Sequence, residues 1–134
     1  MNLNEYQFLA QRTSKKKAER LEKIENGVLG LCGESGECAD MLKKYLHQGH
    51  KFDADKMADE VGDVLWYVAE TAAGLVLTLE EIAQRNIAKL NARYPDGFDP
   101  ERSVHRPEYE HAEKPINIGG SAPAFLFEMR NKTI

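Results

Sequence analysis

The sequence contains few cysteines, and they do not form a recognisable framework. Its 134 residues include two, Cys32 and Cys38, with no CxxC motif and no histidine at zinc-ligand spacing. This pattern argues against a disulfide scaffold and against a structural zinc site. We therefore expect two buried, reduced thiols in a cytoplasmic protein.

The sequence also lacks an excess of basic charge and an uninterrupted apolar run. Its formal net charge is −4 and its pI about 5.6, whereas a sequence-independent nucleic-acid binder is usually basic. The most apolar stretch, residues 61–79, contains Asp63 and Glu70, and the opening "MNLNEYQF" lacks the features of a signal peptide. These features predict a protein without nucleic-acid or membrane partners.

Before residue 95, apolar and polar residues do not alternate as they do in a strand. Apolar residues recur instead at the spacing of three and four that is typical of helices. Start and stop signals predict four helices, over residues 4–12, 23–47, 53–74 (or on to 77) and 78–94. The expected architecture is an all-α bundle of about four helices per chain with short connections. We expect residues 1–106 to form one domain. We expect 107–134 to form an extended C-terminal tail, either wrapping a neighbouring subunit or partly disordered.

Apolar residues recur at helical spacing along the second helix, which predicts the face that it buries. These residues are Val28, Leu31, Cys32, Cys38, Leu42, Tyr45 and Leu46.

Two pairs of acidic residues interrupt the predicted core helices. Glu34 and Glu37 are three residues apart, as are Glu60 and Asp63, so each pair lies on one helix face. In an antiparallel hairpin, facing residues have numbers with a constant sum. The numbers of Glu37 and Glu60 sum to 97, as do those of Glu34 and Asp63, which centres the hairpin on the turn expected at "HQGH". The two pairs are therefore predicted to face each other.

Facing carboxylates repel one another unless a cation lies between them. Oxygen ligands favour hard divalent ions, so we predict a site for Mg²⁺, with Mn²⁺ as a substitute. Gly33, Gly36 and Gly62 flank the acids and favour either close backbone approach or access for a ligand. The alternative is that the acids are solvated side chains on a helix surface, since a single acidic pair at this spacing is common there. A ferritin-like di-iron site is disfavoured, because the only Glu-x-x-His triplet begins at Glu108, in the aperiodic tail.

The fourth predicted helix carries a polar face that complements such a metal site. Asn86, Lys89 and Arg93 recur at helical spacing, and cations opposite a metal suit a polyphosphate substrate. The alternative is a solvated helix end, where cations also favour the helix dipole. Tyr67 lies on the acidic stripe and is a candidate for stacking on a nucleobase, whereas Trp66 is expected in the core.

The sequence resembles the MazG-like branch of the all-α nucleoside triphosphate pyrophosphohydrolases. The resemblance covers roughly residues 4–106 and rests on "NEYQ", "GLCGESGECADMLKK", "DEVGDVLWYVAE", "LEEIAQRNIAKLNARYPDGF" and "ERSVHR". It implies a helical, Mg²⁺-dependent enzyme. Such an enzyme cleaves nucleoside triphosphates (dNTP or NTP) between the α and β phosphates, giving a nucleoside monophosphate and pyrophosphate. It also implies a homodimer or homotetramer with sites near subunit contacts.

The resemblance also implies roles for individual residues. The carboxylates fall on the family's metal-binding and catalytic positions: Glu34, Glu37, Glu60 and Asp63. Lys89 and Arg93 fall on phosphate-contacting positions, and Asn86 is a weaker match. Many members have a second glutamate where this sequence has Gly33, which leaves the identity of the catalytic base open. Two alternatives remain: a non-catalytic module that binds nucleotide and metal, and a purely structural oligomerisation bundle.

Overall fold

The computed structural model describes residues 1–104, and within them every regular element is a helix. The helices are α1 (Leu3–Ala10), α2 (Arg20–His47), α3 (Ala54–Leu75), α4 (Leu79–Arg93) and α5 (Pro100–Val104). A 3₁₀ turn, Gln11–Thr13, follows α1. The predicted all-α class is therefore confirmed, with α5 as a short helix that the periodicity did not reveal. The predicted tail, 107–134, lies outside the described residues.

Several predicted helix boundaries coincide with local hydrogen bonds. The Asp53 side chain accepts a hydrogen bond from the backbone N–H of Lys56 at 3.0 Å and caps α3. Thr78 and Glu81 form the reciprocal capping box that opens α4. Gly49, with a φ of +72°, lies just after α2, where its lack of a Cβ permits a left-handed turn.

Other boundaries differ from the prediction. The first helix, predicted to begin at residue 4, begins at Leu3 and is capped by Asn2, which pairs with Glu5. The second helix begins at Arg20, three residues earlier than expected. The third helix runs through Gly74 and is followed by Val76 in a left-handed conformation, with φ at +62°. A β-branched residue at positive φ is strained, so neighbouring contacts must hold this corner in place.

Helices α2 and α3 form a long antiparallel hairpin whose close contact depends on glycines. A Cβ built on Gly74 would meet Ile24 Cγ1 at 2.7 Å and the Arg20 carbonyl oxygen at 2.9 Å. Gly30 lies directly against the ring of Tyr67. By contrast, a Cβ on any of the glycines flanking the acids would meet nothing within 4 Å in the described structure: Gly33, Gly36 and Gly62. Close approach therefore does not explain those three.

Gly27→Ala is expected to destabilise the protein, because a Cβ there would lie 2.8 Å from the backbone nitrogen of Thr71. The helices must separate, and such overpacking typically lowers the free energy of unfolding by about 1–3 kcal/mol. Gly36→Ala is the matched control on the same helix and should raise it by up to about 1 kcal/mol through helix propensity. Urea unfolding of both variants measures the difference. Shifts of the same sign would contradict the packing.

The hairpin leaves much apolar surface exposed. In the described residues the buried apolar side chains are Ala69, Ala72 and Leu79, a small core for a chain of this length. A second apolar row runs along α2, which we call the outer stripe; its members are Leu21, Val28, Cys32, Leu42 and Leu46, all exposed. Several residues predicted to be core are therefore on the surface of a single chain. Cys32 is exposed and Cys38 is half-buried, so the prediction of two buried thiols was wrong.

Helices α1 and α4 lie across one end of the hairpin. The indole N–H of Trp66 donates to Thr13 Oγ1 at 2.8 Å and to the Ala10 carbonyl oxygen at 3.2 Å, which ties the end of α1 to α3. Helix α4 leaves α3 at a bend of 97°. No helix taken singly among residues 1–104 is long and apolar enough to cross a membrane; only α3 and α4 counted together pass that test of length and composition.

Candidate metal centre

Three carboxylates from the two arms of the hairpin converge. One oxygen from each of Glu34, Glu37 and Glu60 lies within 4.8 Å of the others. The first two lie on one face of α2 because they are three residues apart. The hairpin register brings Glu60 opposite them, in agreement with the contact between Gly30 and Tyr67, whose numbers also sum to 97. The expected facing of the acid pairs thus appears as a compact trio.

Asp63 lies outside this trio, yet its charge is felt there. Burial raises the pKa of the Glu34 carboxyl. The charges of three neighbouring carboxylates raise it further: Glu37, Asp63 and Glu60. Glu34 therefore retains its proton to higher pH than an isolated glutamate, because the charged form adds to a crowded negative field. A cation among these oxygens would reverse that preference.

The two lysines that follow Glu37 on α2 do not neutralise the cluster. Lys43 and Lys44 both pair with Asp40, and their hydrogen bonds lower its pKa to about 2. The lysines that form ion pairs within residues 1–104 pair with other acids, and none pairs with the four predicted site carboxylates. Within this part of the chain, the lysines therefore leave the negative charge of the cluster unpaired.

The donor set fits a small divalent cation. Mg²⁺ binds oxygen at about 2.0–2.1 Å, so two oxygens on one ion lie within about 4.2 Å of each other. The trio already lies within 4.8 Å, and the side chain of Glu37 is exposed and free to rotate the remaining distance. An all-oxygen set favours Mg²⁺ or Mn²⁺ over zinc, which prefers nitrogen and sulfur.

The α4 residues singled out in the sequence lie elsewhere in this chain. Asn86 and Lys89 line a groove of about 530 Å³ that is also lined by Leu65 and Val68, and none of the four carboxylates lines it. Arg93 is half-buried, with its guanidinium 5.6 Å from the ring centroid of Tyr94. The structure thus brings three of the four predicted carboxylates together, while Asn86 and Lys89 lie along a groove that these carboxylates do not line.

The aromatic residues next to the acids pack against neighbouring groups in the fold. Tyr67 is half-buried against Gly30, and its ring meets that of Trp66 edge-on, with centroids 4.9 Å apart. Sequence reasoning missed Tyr6, on α1. Burial raises the pKa of its phenol and the charge of Asp63 adds to the effect, so α1 borders the acidic face. No periodic signal links two residues so distant in sequence.

Glu70 extends the acidic stripe in the sequence but has a different role in the fold. Its side chain is 2% exposed, and it accepts hydrogen bonds from Gln11 and Ser14, each at 2.8 Å. Lys23 forms an ion pair with it at 3.4 Å. Glu70 therefore anchors the segment after α1 to the hairpin and is satisfied without a metal.

Comparison with known proteins identifies the family. The family model of the MazG nucleotide pyrophosphohydrolase domain matches residues 22–98, a range that includes all four carboxylates and the α4 residues. The Gene 37 protein of Mycobacterium phage L5 is 36% identical over 83 residues, covering 59% of this chain and 73% of that protein. No solved structure matches the chain. With more than half of its length matched, the chain belongs to the MazG nucleotide pyrophosphohydrolase domain family.

Proposed function

We propose that the chain hydrolyses nucleoside triphosphates, dNTP or NTP, between the α and β phosphates in a Mg²⁺-dependent reaction. The products are a nucleoside monophosphate and pyrophosphate. The observation that carries the proposal is the trio of carboxylate oxygens within 4.8 Å, inside the part of the chain that matches a nucleotide pyrophosphohydrolase domain. A structural bundle alone would gain nothing from such repulsion.

In this proposal the four carboxylates divide the work. Glu34, Glu37 and Glu60 hold the cation, which when bound neutralises phosphate charge and makes water more acidic. Asp63 is exposed and lies outside the trio, so we assign to it the role of accepting a proton from the attacking water. The absence of a second glutamate at position 33 supports giving this task to Asp63.

We further propose that the α4 residues contact the substrate. Lys89 is exposed and Asn86 lies one turn before it, so both present hydrogen-bond donors along the rim of their groove. Arg93 would add a planar guanidinium to the phosphate contacts, and Tyr67 an aromatic edge near the acids. A triphosphate is long enough to bridge separate groups of this kind.

We also propose that the protein is a homodimer or homotetramer. The outer stripe on α2 is separated from the acids: Cys32 and Glu34 are two residues apart, which is about 200° around a helix. On α3, Val61 is exposed and lies two residues before Asp63, so these two side chains are also about 200° apart around the helix. The hairpin thus has an acidic face and an apolar face, and a second copy is the partner that would bury the latter.

A nucleotide panel tests the proposed activity. The protein is incubated with canonical and modified dNTPs and NTPs, with Mg²⁺ or with EDTA, and pyrophosphate and monophosphate are quantified. We expect equimolar release of the two products, dependent on the metal. Binding of nucleotide without release would instead identify a non-catalytic metal- and nucleotide-binding module. Release of inorganic phosphate alone would contradict cleavage between the α and β phosphates.

A further inference from the structure

A buried glutamine from α1 holds the corner between α3 and α4. The side chain of Gln7 is 0% exposed. Its Nε2 donates to the Leu77 carbonyl oxygen at 3.0 Å, and its Oε1 accepts from the Leu79 backbone N–H at 2.8 Å. One amide therefore satisfies both backbone groups that flank Thr78, the cap of α4.

This corner needs external support. Val76 occupies a left-handed conformation with φ at +62°, which is unfavourable for a β-branched residue. Side-chain contacts from α1 supply the support, since Asn4 Oδ1 also accepts from the Glu80 N–H at 3.3 Å, one turn before Gln7. Two successive turns on one face of α1 thus hold the first turn of α4 in place.

The direction of the rest of α4 depends on these hydrogen bonds from α1. Residues 84–92 are all exposed, so this stretch buries little surface that would orient it within the described chain. Lys89 is ten residues beyond Leu79, about 15 Å along the helix axis. A tilt of about 10° at the corner would displace Lys89 by about 2.6 Å, which is large compared with the tolerance of substrate-positioning groups.

We infer that Gln7 is a positioning residue: through its two hydrogen bonds to the α3–α4 corner, it sets the direction in which α4 presents Asn86 and Lys89 to the nucleotide. The inference rests on the proposed function for its kinetic consequence. It does not involve contact between Gln7 and the substrate or the metal. Its loss should therefore affect nucleotide binding while leaving the carboxylate trio intact.

Gln7→Met keeps the length of the side chain and removes both hydrogen bonds. We expect KM for the nucleotide to rise about tenfold or more, kcat to change less than threefold, and Mn²⁺ affinity, measured by calorimetry without nucleotide, to stay within twofold. Gln84→Met is the matched control, because Gln84 is exposed on α4 and bonds only to Glu80 in the described structure. It should leave all three quantities unchanged.

Gln7→Glu provides a rescue that depends on pH. A protonated carboxyl offers one donor and one acceptor, as the amide does, whereas the ionised form turns an oxygen toward the Leu77 carbonyl. Burial favours the protonated form. The ratio of the variant's KM to that of the wild type should therefore be about tenfold at pH 8.5 and return to within threefold at pH 5.5. A role of Gln7 in stability alone would not make this KM ratio depend on pH.

Three results would overturn the inference. The first is an unchanged KM in folded Gln7→Met, and the second is a loss of Mn²⁺ affinity that parallels the rise in KM. The third is a KM ratio for Gln7→Glu that does not vary with pH, which also decides the matter if Gln7→Met fails to fold. If the wild type hydrolyses no nucleotide, the proposed function fails separately. Amide hydrogen exchange then tests the corner: Gln7→Met should accelerate exchange in α4 about tenfold, with α2 and α3 unchanged, and equal exchange would refute it.

Discussion

Glu37→Gln is expected to lower the rate of pyrophosphate release by about a thousandfold and to weaken Mn²⁺ binding in parallel. Glu37 is the exposed member of the trio, so the substitution replaces a charged oxygen ligand without disturbing packed neighbours. Catalytic sites that lose a group stabilising developing charge typically slow by about 10²–10³-fold, and loss of cation affinity adds to this. Stopped assays of pyrophosphate and calorimetric titration with Mn²⁺ measure the two effects.

In the absence of metal, Glu37→Gln should leave the protein at least as stable as the wild type. Removing one negative charge relieves repulsion among Glu34, Glu37 and Glu60, so the melting temperature in EDTA should not fall. Wild-type protein should gain stability when Mg²⁺ is added, by about 2.7 kcal/mol at a concentration one hundred times Kd. The variant should lose that gain. Circular dichroism at 222 nm should show the same helical content in both.

Two comparisons separate the roles of the carboxylates. Glu25→Gln makes the same change at an exposed position of α2 outside the cluster, and it should leave release and metal affinity as in the wild type. Asp63→Asn should abolish release but retain most of the Mn²⁺ affinity, since Asp63 lies outside the trio. Near-normal release by Glu37→Gln would show that the trio is not the catalytic metal site.

The hairpin and its acidic face could be predicted because both depend on short-range periodicity. Spacings of three and four place residues on one helix face, and a turn near Gly49 fixes the register between two antiparallel helices. The facing of Glu37 and Glu60 followed from those two facts alone. The same reasoning did not place Asn86 and Lys89, because their position depends on the bend between α3 and α4, which no periodic pattern encodes.

Periodicity also does not distinguish between two apolar rows on one helix. Along α2, both the row that meets α3 and the outer stripe repeat at helical spacing, so their spacing alone could not show which row is buried. The two explanations for the glycines beside the acids, close backbone approach and access for a ligand, could not be separated for a related reason. Gly27, Gly30 and Gly74 lie where the helices touch, whereas those flanking the acids do not, and only the packed structure separates the two sets.

The contribution of α1 could not be derived from local patterns at all. Gln7 and Leu79 are 72 residues apart, and Trp66 and Thr13 are 53 apart. A buried glutamine is unusual, since polar side chains are buried only where hydrogen bonds replace water. In the sequence Gln7 is one polar residue within a short helix, and its importance emerges only when the corner that it supports is known.

Leu42→Lys is expected to dissociate the proposed oligomer. Leu42 lies in the outer stripe and is 46% exposed in the single chain. A two-fold interface places the new charge in an apolar contact twice, and each desolvated ion costs several kcal/mol. Because 1.4 kcal/mol corresponds to a tenfold change, Kd should rise at least about a thousandfold. Sedimentation velocity at micromolar concentration should show a shift from oligomer to monomer.

Leu29→Lys is the matched control for this shift. Leu29 is on the same helix and is 66% exposed, but it lies about 100° around the axis from Val28 and outside the outer stripe. The same substitution there should leave the sedimentation coefficient of the wild type unchanged. A monomeric wild type, or equal dissociation by both lysines, would contradict an interface along the outer stripe. Dissociation by Leu42→Lys alone would identify the apolar face of the hairpin as the surface on which two copies meet.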